Sequence, residues 1–189
     1  GPWSFRFDKA KVGEREGWPS ASLDTFPLTI SVPFPWGSPL SGVKDEAEVA
    51  WYARRLRVPE AWTGKRVFLV VGASDWETTA WLDGTLLGRH RGGYDPFELE
   101  LTPALVAGRE ATLVVRVDDK ARSFKLEGKQ GYGNARGIWQ TVYLEARPQV
   151  ALDTVHFTPD LAQRQVSVRA TLSTPAPKGT TLGLEFRTG

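Results

Sequence analysis

The chain contains no cysteine and no methionine in 189 residues. Without cysteine, disulfides and thiolate metal sites are excluded, and nothing reports the redox compartment. Imidazole is nearly absent too: His90 and His156 are the only copies. Two histidines so far apart do not make the ligand set of a metal site, so neither a metal nor a cofactor is expected. Charge of one sign is lacking, since 24 basic against 22 acidic residues leave a formal +2. That balance gives no electrostatic case for nucleic acid, which selects clustered basic residues. No apolar run reaches the length of a membrane span, so no membrane partner is expected. The N-terminus carries no signal-peptide pattern. Gly1-Pro2 and the missing methionine suggest a trimmed start, and localisation is left open.

Helix signals are scarce. Thr102-Pro103, followed by Ala104 and Leu105 and ending at Gly108, suits one or two turns, with Thr as cap and Pro at the first position. Strand patterns fill the rest. Phe26 to Val32 and Val49 to Val58 read as strands, and RVFLVVG, 66–72, is an apolar run suited to burial on both faces. Trp76 to Leu82 and Thr85 to His90 flank Asp83-Gly84, a type I′ hairpin signal. Phe97 to Leu101 alternates. Glu110 to Val117 places Leu113, Val115 and Val117 on one face and Thr112, Val114 and Arg116 on the other. Thr141 to Ala146 completes this set. Many short strands with Gly and Pro punctuation indicate an antiparallel sandwich, and no strand-glycine-helix unit supports a dinucleotide fold.

The pattern changes near Arg147-Pro148. Val150 to Phe157 and Gln165 to Leu172 read as strands, the turn TPAPKG follows, and Leu182, Leu184 and Phe186 suggest a third. Three strands leave an open edge and an uncovered apolar face. We read 148–189 as the first part of a second sandwich, and expect the chain to be a piece of a longer protein. Pairing of two copies through the open edge is a further expectation.

Several stretches taken together resemble one family: WSFRFDKAKVGEREGW, ISVPFPWGSPLSGV, the run from AWYARRLRVPEAW through WLDGTLLGRHRGGYDPFELELTPAL, VVRVDD, and GKQ with GIWQTVYLEA. Their order and spacing are similar to the N-terminal sugar-binding domain of glycoside hydrolase family 2, the family of β-galactosidases, β-glucuronidases and β-mannosidases. The resemblance implies an all-β chain: a galactose-binding-domain-like jelly-roll β-sandwich over 1–147, then the opening strands of an immunoglobulin-like sandwich over 148–189. It also implies that two catalytic glutamates reside in a (β/α)8 barrel not present in this chain. The parent is then expected to be a retaining exo-glycosidase, most simply of the β-galactosidase type, and this chain to be inactive by itself.

The residues agree with that expectation. Retaining hydrolysis needs two carboxyl groups roughly 5 Å apart. The tempting pair, Asp118-Asp119, consists of strand neighbours that point to opposite faces, so no catalytic residue is assigned. Arg54-Arg55 places one guanidinium on each face of its strand, where Asp118 or Asp119 would be suitable partners. Eight tryptophans serve cores and contact surfaces alike.

Sugar sites combine apolar walls with a few placed polar groups. Two loops have that chemistry: WGSPLSGVKDE, 36–46, and GKQGYGNAR, 128–136. The candidates near carbohydrate are Trp36 and Asp45 from the first loop and Lys129, Gln130, Tyr132 and Asn134 from the second. In the resembled family, loops of this domain reach the sugar through an Asn and an Asp. The first loop here has no Asn, and Gly131 or its neighbours occupy the place of the Asp, so those contacts do not transfer. The other reading of both loops is packing against a neighbouring domain. Three functions follow: an accessory domain of a glycosidase, a free-standing carbohydrate-binding module, or a purely structural module. The expected partners are carbohydrate, through the parent enzyme, and the remaining domains of the same protein.

Overall fold

The computed structural model describes residues 1–119, 136–185 and 187. By contacts it forms two compact units, Gly1–Ala146 and Arg147–Gly189. The described residues contain strands and short 3-10 turns, and no α-helix.

The first unit is a jelly-roll β-sandwich. Its larger sheet holds six strands: β1 (Pro2–Phe7), β2 (Leu28–Ser31), β3 (Val49–Arg57), β6 (Glu77–Leu82), β7 (Thr85–Arg91) and β9 (Glu110–Asp118), in the order β2-β1-β3-β9-β6-β7. The opposing layer joins β4 (Arg66–Val71), β8 (Phe97–Glu100) and β11 (Val142–Arg147) in the order β11-β4-β8. A short pair, β5 (Ser74–Asp75) with β10 (Gly137–Ile138), extends it. The pairings are antiparallel.

Alternation explains why this sheet carries two cores. Along β3, Ala50 and Tyr52 turn inward to the main core with Phe5, Ile30, Leu69, Leu82 and Val115. Val49, Trp51 and Ala53 turn to the other side. There they meet Trp18 and Phe26, which the 8–27 segment folds over the sheet, together with Trp81 and Val114. Asp8 fastens that cover. Buried itself, it accepts hydrogen bonds from the Val12 and Gly13 N–H groups at 2.8 and 2.9 Å and from Trp51 Nε1 at 3.1 Å. A buried carboxylate without such donors would be costly.

Local expectations met the structure in different ways. Asp83 and Gly84 take φ of 46° and 80°, as a type I′ turn requires. The helical signal at Thr102 yields a single 3-10 turn, Thr102–Ala104, capped by Leu101 rather than by the threonine. The pairing expected for Arg54 and Arg55 is corrected. Arg54 lies 5.7 Å above the Trp3 ring, and Arg55 stands 4.0 Å from Glu110. Asp118 is instead held by Arg116 at 2.9 Å, its neighbour on the same face of β9.

The second unit consists of β12 (Leu152–Asp160) hydrogen-bonded to β13 (Gln165–Leu172). The third strand expected from Leu182, Leu184 and Phe186 does not form over 181–185, and Phe186 lies outside the described residues. Alternation alone supplies no partner edge, and a strand without one has no ladder. Phe157, Val155 and Leu152 of this hairpin are exposed.

Candidate functional site

Loops from several elements meet at one end of the first unit. β9 ends at Asp118, and Asp119 continues with its N–H donated to the Glu48 carbonyl at 2.7 Å. The chain is described again from Arg136, which enters β10 directly. Arg136 Nη1 donates to Glu46 Oε2 at 3.0 Å, and its Nε lies 3.2 Å from Asp119 Oδ2. The Asp119 side chain is 1% exposed, against 66% for Glu46. One guanidinium thus clasps the end of the first candidate loop and a desolvated carboxylate at the end of β9. Its planar fork suits such a double contact.

Beneath the clasp the packing is tight. Tyr52 Oη accepts a hydrogen bond from the Ile138 N–H at 3.2 Å. Complete burial of that hydroxyl pushes its pKa upward, so it stays protonated. Gly137 takes φ of 84°, a left-handed conformation that favours glycine, and lies directly against Tyr52 and the Trp36 ring.

Beside it lies an aromatic ledge. Trp139 Nε1 donates to the Gly93 carbonyl at 2.8 Å. The Tyr94 ring meets Trp139 edge-on at 5.7 Å and is 80% exposed. The Gly92–Gly93 turn that carries Tyr94 packs on Asp75, the β5 partner of Gly137. An exposed aromatic face beside amide and charged groups suits the C–H surface and hydroxyls of a sugar.

The sequence candidates occupy different places. Trp36 is buried in the main core at 3% exposure, within 6.3 Å of the Phe5, Phe7 and Tyr52 rings. Among the described residues its Nε1 has no hydrogen-bond partner. Asp45 is exposed and bonded to Lys9 at 2.6 Å. That bond, with one from the Glu46 N–H, holds its carboxyl below the usual range. Lys129, Gln130, Tyr132 and Asn134 lie outside the described residues. The structure adds Glu46, Arg136, Asp119 and Tyr94. A signal for the first two was present, as opposite charges ending the two polar loops, but their pairing spans 90 positions.

Asp118 and Asp119 are both tied into ion pairs, with Arg116 and Arg136. Among the described residues no cluster of His, Asp and Glu is arranged to hold a metal ion, and no helix is long and apolar enough to cross a membrane.

The fold is that of an antiparallel jelly-roll β-sandwich with a loop-built end. The family described as "Glycosyl hydrolases family 2, sugar binding domain" matches residues 1–148, and the chain belongs to that family. A β-glucuronidase of Paenibacillus borealis is 29% identical over 120 residues, covering 63% of this chain and 20% of the relative. A β-galactosidase of Thermoanaerobacter pseudethanolicus is 28% identical over 138 residues, covering 71% and 19%. Among solved structures, Lactobacillus rhamnosus β-glucuronidase superposes with a TM-score of 0.76 at 24% identity, covering 93% of this chain and 33% of the other. That last likeness is one of fold. The chain spans about a fifth of the length of these curated relatives.

Proposed function

We propose that this chain is the non-catalytic N-terminal portion of a family 2 exo-glycosidase, supporting a catalytic barrel elsewhere in the parent protein and shaping access to it. The carrying observation is the Glu46–Arg136–Asp119 clasp, which ties Arg136 both to the last residue of the first polar loop and to the residue that follows β9. Residues 148–189 are proposed to open an immunoglobulin-like sandwich. Lys129, Gln130, Tyr132 and Asn134 are the proposed carbohydrate-facing set, with Asp45 at the rim and Trp36 supporting from beneath. For the sugar, a galactoside was the expectation from sequence. The relatives support a β-glucuronide at least as well, since that name is the more frequent among them.

The test uses the complete parent enzyme and aryl β-D-glucuronide and β-D-galactoside substrates. Alanine at Lys129, Gln130 or Arg136 is expected to lower kcat/KM about tenfold or more, the scale of one lost charge-assisted hydrogen bond. The melting temperature should hold for Lys129 and Gln130. Equal losses of activity and melting temperature would make both loops packing segments. The exposed Tyr94–Trp139 ledge favours a second reading, a module that binds sugar alone. Calorimetric titration of this chain with galactose, glucuronic acid and mannose decides it: no heat at high sugar removes the module.

Self-association is proposed through the hairpin of the second unit, where Phe157 is 58% exposed. Light scattering is expected to show concentration-dependent mass that Phe157→Lys abolishes. A clean monomer at every concentration would end the idea.

A further inference from the structure

The first polar loop runs back to β3 through 44–48, which belongs to no strand. Three of those residues are acidic and exposed: Asp45, Glu46 and Glu48. A segment without a ladder of its own is fixed by whatever its side chains and backbone groups reach. Glu46 reaches Arg136. The other two carboxylates are engaged elsewhere. Asp45 Oδ2 accepts from Lys9 Nζ at 2.6 Å, and Glu48 Oε2 accepts from Lys11 Nζ at 2.6 Å.

Both lysines stand on one turn at the start of the 8–27 cover. The Lys11 N–H closes that turn by donating to the Asp8 carbonyl at 3.1 Å, and the Asp8 carboxylate accepts the next two N–H groups, of Val12 and Gly13. Lys11 takes φ of 56°, a left-handed conformation uncommon for a residue with a side chain. Such a conformation persists where its surroundings over-determine it. The Asp8 N–H donates to the Val49 carbonyl at 2.9 Å, so the turn is also fastened to the residue that ends the acidic segment.

Each lysine is one residue removed from one arm of the clasp. Asp45 holds Lys9 with Oδ2 and accepts the Glu46 N–H with Oδ1 at 2.9 Å, and Glu46 is the exposed arm on Arg136. Glu48 holds Lys11 with its carboxylate and accepts the Asp119 N–H with its carbonyl at 2.7 Å, and Asp119 is the desolvated arm. Two short relays therefore run in parallel from the cover to Arg136. Water screens the exposed Glu46 pair far more than the desolvated Asp119 pair. The relay through Asp45 thus acts on the weaker arm, where a small change in placement decides whether the contact is kept.

We propose that Lys9 and Lys11 are positioning residues for Arg136. They hold the acidic segment so that the guanidinium just before β10 meets both carboxylates. Their consequence for glycoside hydrolysis rests on the function proposed above; their action on Arg136 does not.

The first test uses the full chain. The Arg136 Nε–H signal is followed in a two-dimensional N–H correlation NMR spectrum and identified by its loss in Arg136→Lys. One exposed pair shifts an equilibrium by about fivefold at most, so the lysines are removed together. Lys9→Ala/Lys11→Ala is expected to move the Arg136 signal and to speed its exchange with water severalfold. The Trp51 indole N–H, donated to Asp8, should stay in place and report an intact cover. Asp45→Asn is the second variant should the cover loosen: it leaves both lysines and an acceptor for the Glu46 N–H, removes only the charge that Lys9 meets, and should move the same signal. The second test uses the parent enzyme and the aryl glycosides above. Lys9→Ala is expected to lower kcat/KM severalfold, and that loss should shrink in a Glu46→Gln background, where the arm it acts on is already weakened. An unmoved Arg136 signal, or losses that simply multiply in the two backgrounds, would overturn the proposal. A displaced Arg136 signal in an enzyme whose kcat/KM is indifferent to Arg136→Ala would uphold the positioning role and remove the sugar-facing reading instead.

Discussion

Gly137→Ala is expected to lower the stability of the first unit by about 3 kcal/mol or more, through backbone strain and forced overlap together. The backbone holds φ at 84°, and an added Cβ would stand 2.5 Å from carbons of the Trp36 ring and closer still to Tyr52 Oη. Neither neighbour has room to withdraw. Tyr52 is wholly buried, and Trp36 is wedged among Phe5, Phe7 and Tyr52. Shifting Tyr52 would also leave the Ile138 N–H without its acceptor. Urea denaturation measures the loss, and a melting temperature lower by roughly 10 °C is the thermal equivalent for a domain of this size. Gly64→Ala is the control. Its φ of 78° is similar, but nothing lies within 4 Å of its added Cβ, so only the conformational cost of about 1 kcal/mol remains. Equal losses in the two variants would show that the packing around Gly137 carries no weight.

Trp51→Ala should destabilise by about 3–5 kcal/mol, the range for deleting a buried tryptophan. Trp51 is 0% exposed, lies parallel to Trp81 at 5.4 Å, and meets Trp18 edge-on at 5.7 Å. The deletion removes both ring contacts and strips Asp8 of the Trp51 Nε1 donor. Trp51→Phe keeps an aromatic ring in the stack and should lose about half as much. Hydrogen exchange at the Val12 and Gly13 N–H groups, which Asp8 accepts, should accelerate more in the alanine variant than exchange in β4. A loss below 1 kcal/mol for Trp51→Ala would show that the outer cover closes without it.

Much of the sandwich was legible because alternation is local. Leu113, Val115 and Val117 against Val114 already assigned the two faces of β9, and the two cores confirm that division. Asp83-Gly84 carried its turn geometry in two residues. β1 was harder to read: aromatic Trp3, Phe5 and Phe7 alternate with Ser4 and Arg6 only over six residues, beside the chain end.

The functional end was legible as chemistry and illegible as placement. Aromatic character alone does not distinguish a stacking platform from a core residue, and Trp36 proved to be wedged between three other rings. Charge pairing is equally blind to topology. The partner of Glu46 is the residue just before β10, and that of Asp118 sits two residues away on its own strand. Arg54 and Arg55 were matched to distant aspartates because strand alternation gives a face and not a neighbour. Leu182 and Leu184 alternate as well as any strand here, yet 181–185 take none.

The stacked indoles of Trp51 and Trp81, carried by β3 and β6, sit only 19° from parallel, beneath the cover of the 8–27 segment and separate from the main core. Two chromophores so placed couple electronically, and their shared circular-dichroism band disappears when either turns away. That band reports the packing on this outer face of the sheet and not the main core, so loosening beneath the 8–27 cover carries an optical signature of its own.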